Sequence, residues 1–168
     1  DVNFLKTRLR SAYYKPFAFR KYVLGLRGEV GYVDGLGDKI SQSARFSLGG
    51  RQLRGFDAGG IGPRDIGSGS AVGGNKSYSG SVEIISSLGL SDDLGMRWTV
   101  FSDFGSVWDT DYPDGVTKPN DKSMRQTLGL GLLWDTAIGP LTFFWADPLS
   151  QESHDKPKRF QFNIGTRF

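Results

Sequence analysis

The chain has 168 residues, among them 24 glycines, 12 phenylalanines, 6 tyrosines and 4 tryptophans, with no cysteine, a single histidine and a formal net charge of +3. The absence of cysteine excludes disulfides and thiolate metal sites, and one isolated histidine, His154 in a polar stretch, leaves no basis for histidine catalysis or clustered zinc ligation and reads as a solvated loop residue. The mild charge is spread along the chain and does not point to nucleic acid, and no run of about 18 apolar residues provides a transmembrane helix, whereas the shorter alternating strands of a membrane barrel remain open.

The opening Asp1-Val2-Asn3-Phe4 has neither the basic nor the apolar region of a signal peptide, so a secreted precursor is expected to have lost its start before this numbering. Seven segments then alternate with period two, which predicts strands with two unlike faces. Residues 3–14 set Leu5, Thr7, Leu9, Ser11 and Tyr13 against Lys6, Arg8, Arg10, Ala12 and Tyr14, and Pro16 marks a break. Residues 21–32 set Tyr22, Leu24, Leu26, Val30 and Tyr32 against Val23, Gly25, Arg27, Glu29 and Gly31. A glycine-rich interruption over about residues 33–76 reads as one large loop, with a strand extension at its start as a variant.

Alternation resumes at 77–85, where Tyr78, Val82 and Ile84 oppose Ser79, Ser81, Glu83 and Ile85. Residues 96–108 place Trp98, Val100, Ser102, Phe104, Ser106 and Trp108 against Arg97, Thr99, Phe101, Asp103, Gly105 and Val107. After a polar loop, 124–134 alternate Met124, Gln126, Leu128, Leu130, Leu132 and Trp134 with Arg125, Thr127, Gly129, Gly131 and Leu133. The turn Ile138-Gly139-Pro140 leads into 141–147, with Leu141, Phe143 and Trp145 opposite Thr142, Phe144 and Ala146. The polar loop 150–158 precedes a closing segment of Phe160, Phe162, Ile164, Thr166 and Phe168 against Gln161, Asn163, Gly165 and Arg167.

Aromatics recur at segment ends (Tyr13, Tyr22, Tyr32, Tyr78, Trp98, Trp108, Trp134 and Phe168), as in the girdles of membrane barrels, and long loops alternate with short turns. These features favour an all-β, antiparallel transmembrane barrel over a soluble sandwich or lipocalin-like barrel, which stays open at this point. Seven strands cannot close alone in lipid, because an open edge would leave its backbone groups without partners, so the chain is expected to be a portion of a larger barrel. The charges of the second face (Lys6, Arg8, Arg10, Arg27, Glu29, Glu83, Arg97, Arg125) read as a solvated interior network rather than a substrate site.

Within the large loop, Gly49-Gly50-Arg51-Gln52-Leu53-Arg54-Gly55-Phe56 resembles the sixth-loop motif of the BamA family of outer-membrane protein assembly factors, with leucine where valine is usual. Phe101 to Asp109 resembles a late-strand motif with an inward aromatic and aspartate, and Phe160 to Phe168 resembles the family's terminal strand with its final aromatic. The resemblance implies about seven C-terminal strands of a sixteen-stranded barrel, with POTRA domains and earlier strands outside this chain. It also implies that Arg54, Gly55 and Phe56 fold into the lumen, with Arg54 meeting Phe101 and Asp103. The last strand, through Phe160, Phe162, Ile164 and Phe168, would form one lip of a lateral seam, kinked at Gly165. The implied role is non-enzymatic and without cofactor: insertion of unfolded outer-membrane proteins into the Gram-negative outer membrane, with lipids and accessory lipoproteins as partners and no nucleic acid.

An arginine fork suits a carboxylate and can stack on an aromatic ring, which would supply the anchor that a glycine-rich loop lacks. Two other classes are kept: a related barrel that secretes polypeptides, and a soluble barrel that binds a small apolar ligand. Asp103-Phe104-Gly105 spells a kinase metal motif without any accompanying kinase element, Asn75-Lys76-Ser77 fits a glycosylation acceptor of little meaning in bacteria, and Asp92-Asp93 suits a turn.

Overall fold

The computed structural model describes residues 3–37, 39–89, 94–111 and 114–165. Its strands are β1 (Phe4–Phe17), β2 (Tyr22–Gly35), β3 (Gly55–Phe56), β4 (Arg64–Asp65), β5 (Lys76–Ser87), β6 (Met96–Trp108), β7 (Val116–Thr117), β8 (Arg125–Thr136), β9 (Gly139–Ser150), β10 (Pro157–Lys158) and β11 (Phe160–Ile164). Seven of them form one sheet in the order β1-β2-β5-β6-β8-β9-β11, antiparallel throughout. Each long strand answers one alternating segment of the sequence.

Two boundaries differ from expectation. Pro16 does not end β1, which continues to Phe17 with Pro16 opposite Val23; one missing N–H next to the strand's end removes a single ladder donor. The reversal instead falls on Ala18, Phe19 and Arg20, all with positive φ. Gly139 and Pro140, read as turn, already belong to β9 and pair with Thr136 and Asp135.

The register aligns the alternating faces across the sheet. Arg27 lies opposite Ser81, Ser81 opposite Asp103 and Asp103 opposite Thr127, so one face is continuous and polar. That face is the covered one: Asp103, Thr127 and Arg125 are fully buried, whereas Leu9, Val30, Leu130 and Trp145 on the other face are 52–67% exposed. A soluble sandwich would bury the apolar face, since unpaired charge is costly away from water and large apolar patches are rare on soluble surfaces. This inverted arrangement is what lipid requires.

The belts fit the same geometry. Tyr22 packs edge-on against Trp98 near one end of the sheet, and Tyr78 against Trp108 toward the other. Trp98 and Trp108 are ten residues apart on β6; at about 3.4 Å per residue and a tilt of roughly 40° this separates them by about 25 Å along the membrane normal, the height of a barrel's apolar band.

The large loop begins after Gly35, with β2 supplying the strand extension kept open at its start, and is built rather than loose. It holds a 3-10 turn at Gln42–Ala44 and the strands β3 and β4. β3 pairs with β10 and β4 with β7, tying it to the two other long connections. Ile40, Phe46, Leu48, Leu53, Phe56 and Ile61 gather with Val33 and Val107 into the apolar cluster of the molecule. The loop thus supplies an apolar filling for a polar-faced wall.

Candidate functional site: an arginine cage on the covered face

Gly55 has φ +97°, a conformation that favours glycine, and a Cβ there would stand 3.0 Å from Thr127 and 3.2 Å from Ala146. This lets the loop lie against β8 and β9 and sends the preceding Arg54 toward β6. Three nitrogens of Arg54 reach the Asp103 carboxylate: the backbone N–H at 3.0 Å and Nε at 2.7 Å donate to Oδ2, and Nη2 donates to Oδ1 at 2.7 Å. Nη1 donates to Glu83 Oε2 at 3.2 Å and Nη2 also to Ser81 Oγ at 3.0 Å. The guanidinium carbon lies 3.4 Å from the centroid of the Phe101 ring and 5.0 Å from that of Phe144.

The platform beneath the guanidinium depends on glycines of β8. Phe101 faces Gly129 and Phe144 faces Gly131 across the ladder. A Cβ on Gly129 would lie 2.4 Å from Phe101 Cζ, and one on Gly131 2.6 Å from Phe144 Cδ1. Two missing side chains let both rings lie against the wall, where they meet edge to face at 5.6 Å.

Charge is balanced within the cage. Arg27 approaches Glu83 Oε2 at 3.6 Å and Ser81 Oγ at 3.3 Å, so two guanidiniums face two carboxylates. The side chains of Arg54, Glu83 and Asp103 are 4%, 8% and 1% exposed. Charges so deeply buried persist only when paired and hydrogen-bonded, and a bidentate arginine–carboxylate fork is the strongest such pairing.

Arg54, Phe101 and Asp103 therefore share one site, with Gly55 and Phe56 beside them. Ser81 and Phe144 join them as cage residues that sequence reasoning did not assign, and Arg27 and Glu83, expected in a solvated network, belong to the cage instead; their shared face was readable by parity, their convergence was not. Phe160, Phe162 and Ile164 of the terminal strand lie on the opposite face, 45%, 45% and 58% exposed. Gly165 follows β11 as a bend with φ +128°, its N–H donating to Pro140 O at 3.1 Å. Phe168 and the Asp92-Asp93 pair lie outside the described residues.

The Omp85 superfamily domain model matches residues 1–168. The chain belongs to the Omp85 superfamily. Among relatives of this family it is 30% identical to the outer membrane protein assembly factor BamA of Neisseria meningitidis serogroup B, over 89% of this chain. It is 30% identical over its full length to BamA of Neorickettsia risticii. The chain spans about 22% of the length of each. The crystal structure of Haemophilus ducreyi BamA lacking POTRA domains 1–3 superposes with a TM-score of 0.84 at 28% identity, covering 95% of this chain and 34% of that one. This Omp85 chain is thus a BamA-like antiparallel barrel segment and an integral part of the Gram-negative outer membrane.

A second arginine of this Omp85 segment, Arg125, was expected in the solvated network and is instead fully buried. Arg125, at the start of β8, donates from Nε to Asp155 Oδ2 at 2.9 Å and from Nη2 to Asp155 Oδ1 at 3.3 Å. It also reaches Ser123 O at 2.7 Å and Asp121 Oδ2 at 3.3 Å. Burial alone would raise the pKa of Asp121, but hydrogen bonds from the Ser123 hydroxyl and backbone N–H, with the Arg125 charge, hold it below the usual carboxylate range. His154 is a correction to the solvated-loop reading: its side chain is 11% exposed and its Nε2 lies 3.4 Å from Arg125 Nη2.

The remaining network charges divide between pairs and loop contacts. Arg8 and Arg10 meet Glu29, Lys6 donates to Ala44 O at 2.6 Å, and Arg97 pairs with Asp135 at the sheet's end. Among the described residues, no three histidine, aspartate or glutamate side chains converge as a metal site.

Proposed function

We propose that this chain is the C-terminal part of a barrel that inserts and folds outer-membrane proteins, acting without covalent chemistry through a lateral seam of which the terminal strand is one lip. POTRA domains and the earlier strands belong to the rest of that protein, which also carries the contacts to accessory lipoproteins. The observation that carries this reading is the buried Arg54–Asp103 fork: it holds the large loop against the covered wall and keeps the lumen filled while the membrane-facing edge stays free to work.

Work at that edge has a simple physical basis. Among the described residues β11 pairs with β9 over five residue pairs, against eleven between β8 and β9. A short strand ending at a glycine bend is the easiest to part, and an exposed edge accepts an incoming strand through main-chain hydrogen bonds. Phe160, Phe162 and Ile164 meet lipid on the outer side of that lip, and the bilayer and the unfolded barrel protein are the partners it would bring together.

The test is complementation in cells depleted of the native assembly factor, using the full-length protein. Arg54→Ala and Asp103→Ala should each lower the level of newly inserted outer-membrane proteins, with no soluble polypeptide accumulating outside the cell as its direct product. Full insertion by both variants, or secretion of a soluble polypeptide that depends on the protein, would overturn the proposal in favour of a transporter.

A further inference from the structure

The Arg54 cage explains how the loop is held to β5 and β6, but its far side is bonded to the terminal strand by a separate set of contacts. Beyond Arg54 the loop runs as β3 beside β10, with Phe56 opposite Pro157 and Gly55 opposite Lys158. Lys156 extends this strip: it accepts from Asp57 N–H at 2.9 Å and donates its own N–H to Gly60 O at 2.8 Å. From β11, Gln161 Nε2 donates to Phe56 O at 2.7 Å, both residues being buried. The loop therefore pairs with residues 156–158 just ahead of the last strand and reaches that strand's inner face at Gln161.

The residue just before this strip, Asp155, is held by the second buried arginine. Asp155 accepts from two of the three Arg125 guanidinium nitrogens and also from Glu152 N–H at 2.7 Å, so one carboxylate closes the turn and locks it to the first residue of β8. The side chains of Arg125 and Asp155 are 1% and 0% exposed. Carboxylate and guanidinium at this burial hold one geometry, because losing either partner strands the other charge.

We propose that Arg125 and Asp155 are positioning residues for the terminal strand. Their pair aligns residues 156–158 so that the lumen loop is stitched to β11, and release of the lip requires breaking that stitch as well as the five β9–β11 pairs. This rests on the reading of β11 as a working edge, but the coupling can be measured without reference to it.

The experiment is amide hydrogen exchange on the full-length protein in lipid nanodiscs, comparing wild type with Asp155→Asn, Arg125→Met and Gln161→Leu. The expected result is exchange at residues 160–164 at least tenfold faster in each variant, with β5 and β6 amides unchanged. Unchanged exchange at 160–164, or acceleration spread evenly over all strands, overturns the proposal. Gln161→Leu removes only the bond to Phe56 O and leaves the buried ion pair, so it tests the stitch by itself, and Arg125→Lys, which keeps the charge and loses the fork, carries the test of the pair should the other charge variants fail to fold. Insertion of outer-membrane proteins is assayed in parallel: localised exchange without any insertion activity in the wild type sinks the functional reading and leaves the coupling standing, while normal insertion with uniform exchange does the reverse.

Discussion

Arg54 and Asp103, 49 residues apart in sequence, share three hydrogen bonds, one of them from the arginine's own backbone N–H. The backbone bond means that Asp103 fixes the loop's main chain as well as its charge. Removing Arg54 as Ala leaves Asp103 buried and unpaired, a loss of about 3–5 kcal/mol. Arg54→Lys keeps the charge but forfeits the fork and the planar contact with Phe101, so it should recover only a minority of that loss. Urea titration of the full-length protein in lipid, followed by tryptophan fluorescence, measures both; equal stability of Arg54→Lys and wild type would contradict the geometry.

The aromatic platform makes a second, independent prediction. Gly129→Val would place carbon atoms where the Phe101 ring now lies, since even a Cβ comes within 2.4 Å of it. Overpacking of this kind costs about 1–3 kcal/mol, and here it also displaces the surface beneath Arg54. The expected outcome is a protease-sensitive loop over residues 39–75 in a barrel whose strands remain paired, read by limited proteolysis. The double variant Gly129→Val with Phe101→Leu should regain part of the protection, because the smaller side chain vacates the slot.

How much of this was readable from sequence follows from the range of the interactions. Strand alternation was legible because each residue pair samples two unlike surroundings, lipid and covered wall, and period two is imprinted locally. The motif resemblance brought Arg54, Phe101 and Asp103 together on paper. Nothing local marks Gly55-Phe56 as a strand, because its partner Pro157-Lys158 lies about a hundred residues away. Asp155 likewise sits in a polar connection with no periodicity, so its bond to Arg125 and the partial burial of His154 had no sequence signal. Pro16 misled for a different reason: a proline near a strand's end subtracts one donor without stopping the chain.

The Arg125 corner should respond to acid. The Asp121 carboxyl is held below its ordinary range by Ser123 and Arg125, so its folded pKa lies under its unfolded one. Its contribution is then fully present above the unfolded carboxylate value and is lost as pH falls through the depressed folded one. Protection of residues 114–124 from proteolysis should be flat from neutral pH downward and fall only in the acid range. Asp121→Asn should remove that acid step; a step that persists in Asp121→Asn assigns it to another group.

The outward face gives the sharpest contrast between architectures. Leu130 is the middle one of the outward residues of β8 from Gln126 to Trp134, and it is 59% exposed. On a soluble protein, exchanging so exposed a leucine for arginine changes stability by no more than about 0.5 kcal/mol. Facing the middle of a bilayer, Leu130→Arg costs about 2–4 kcal/mol, and the penalty falls toward the interfaces. An arginine scan along Leu128, Leu130, Leu132 and Trp134, with folding into bilayers measured by urea titration, should give its largest loss at Leu130 and a smaller one toward Trp134. A flat scan near zero would mean that this face meets water, and both the belts and the membrane placement of the sheet would have to be abandoned.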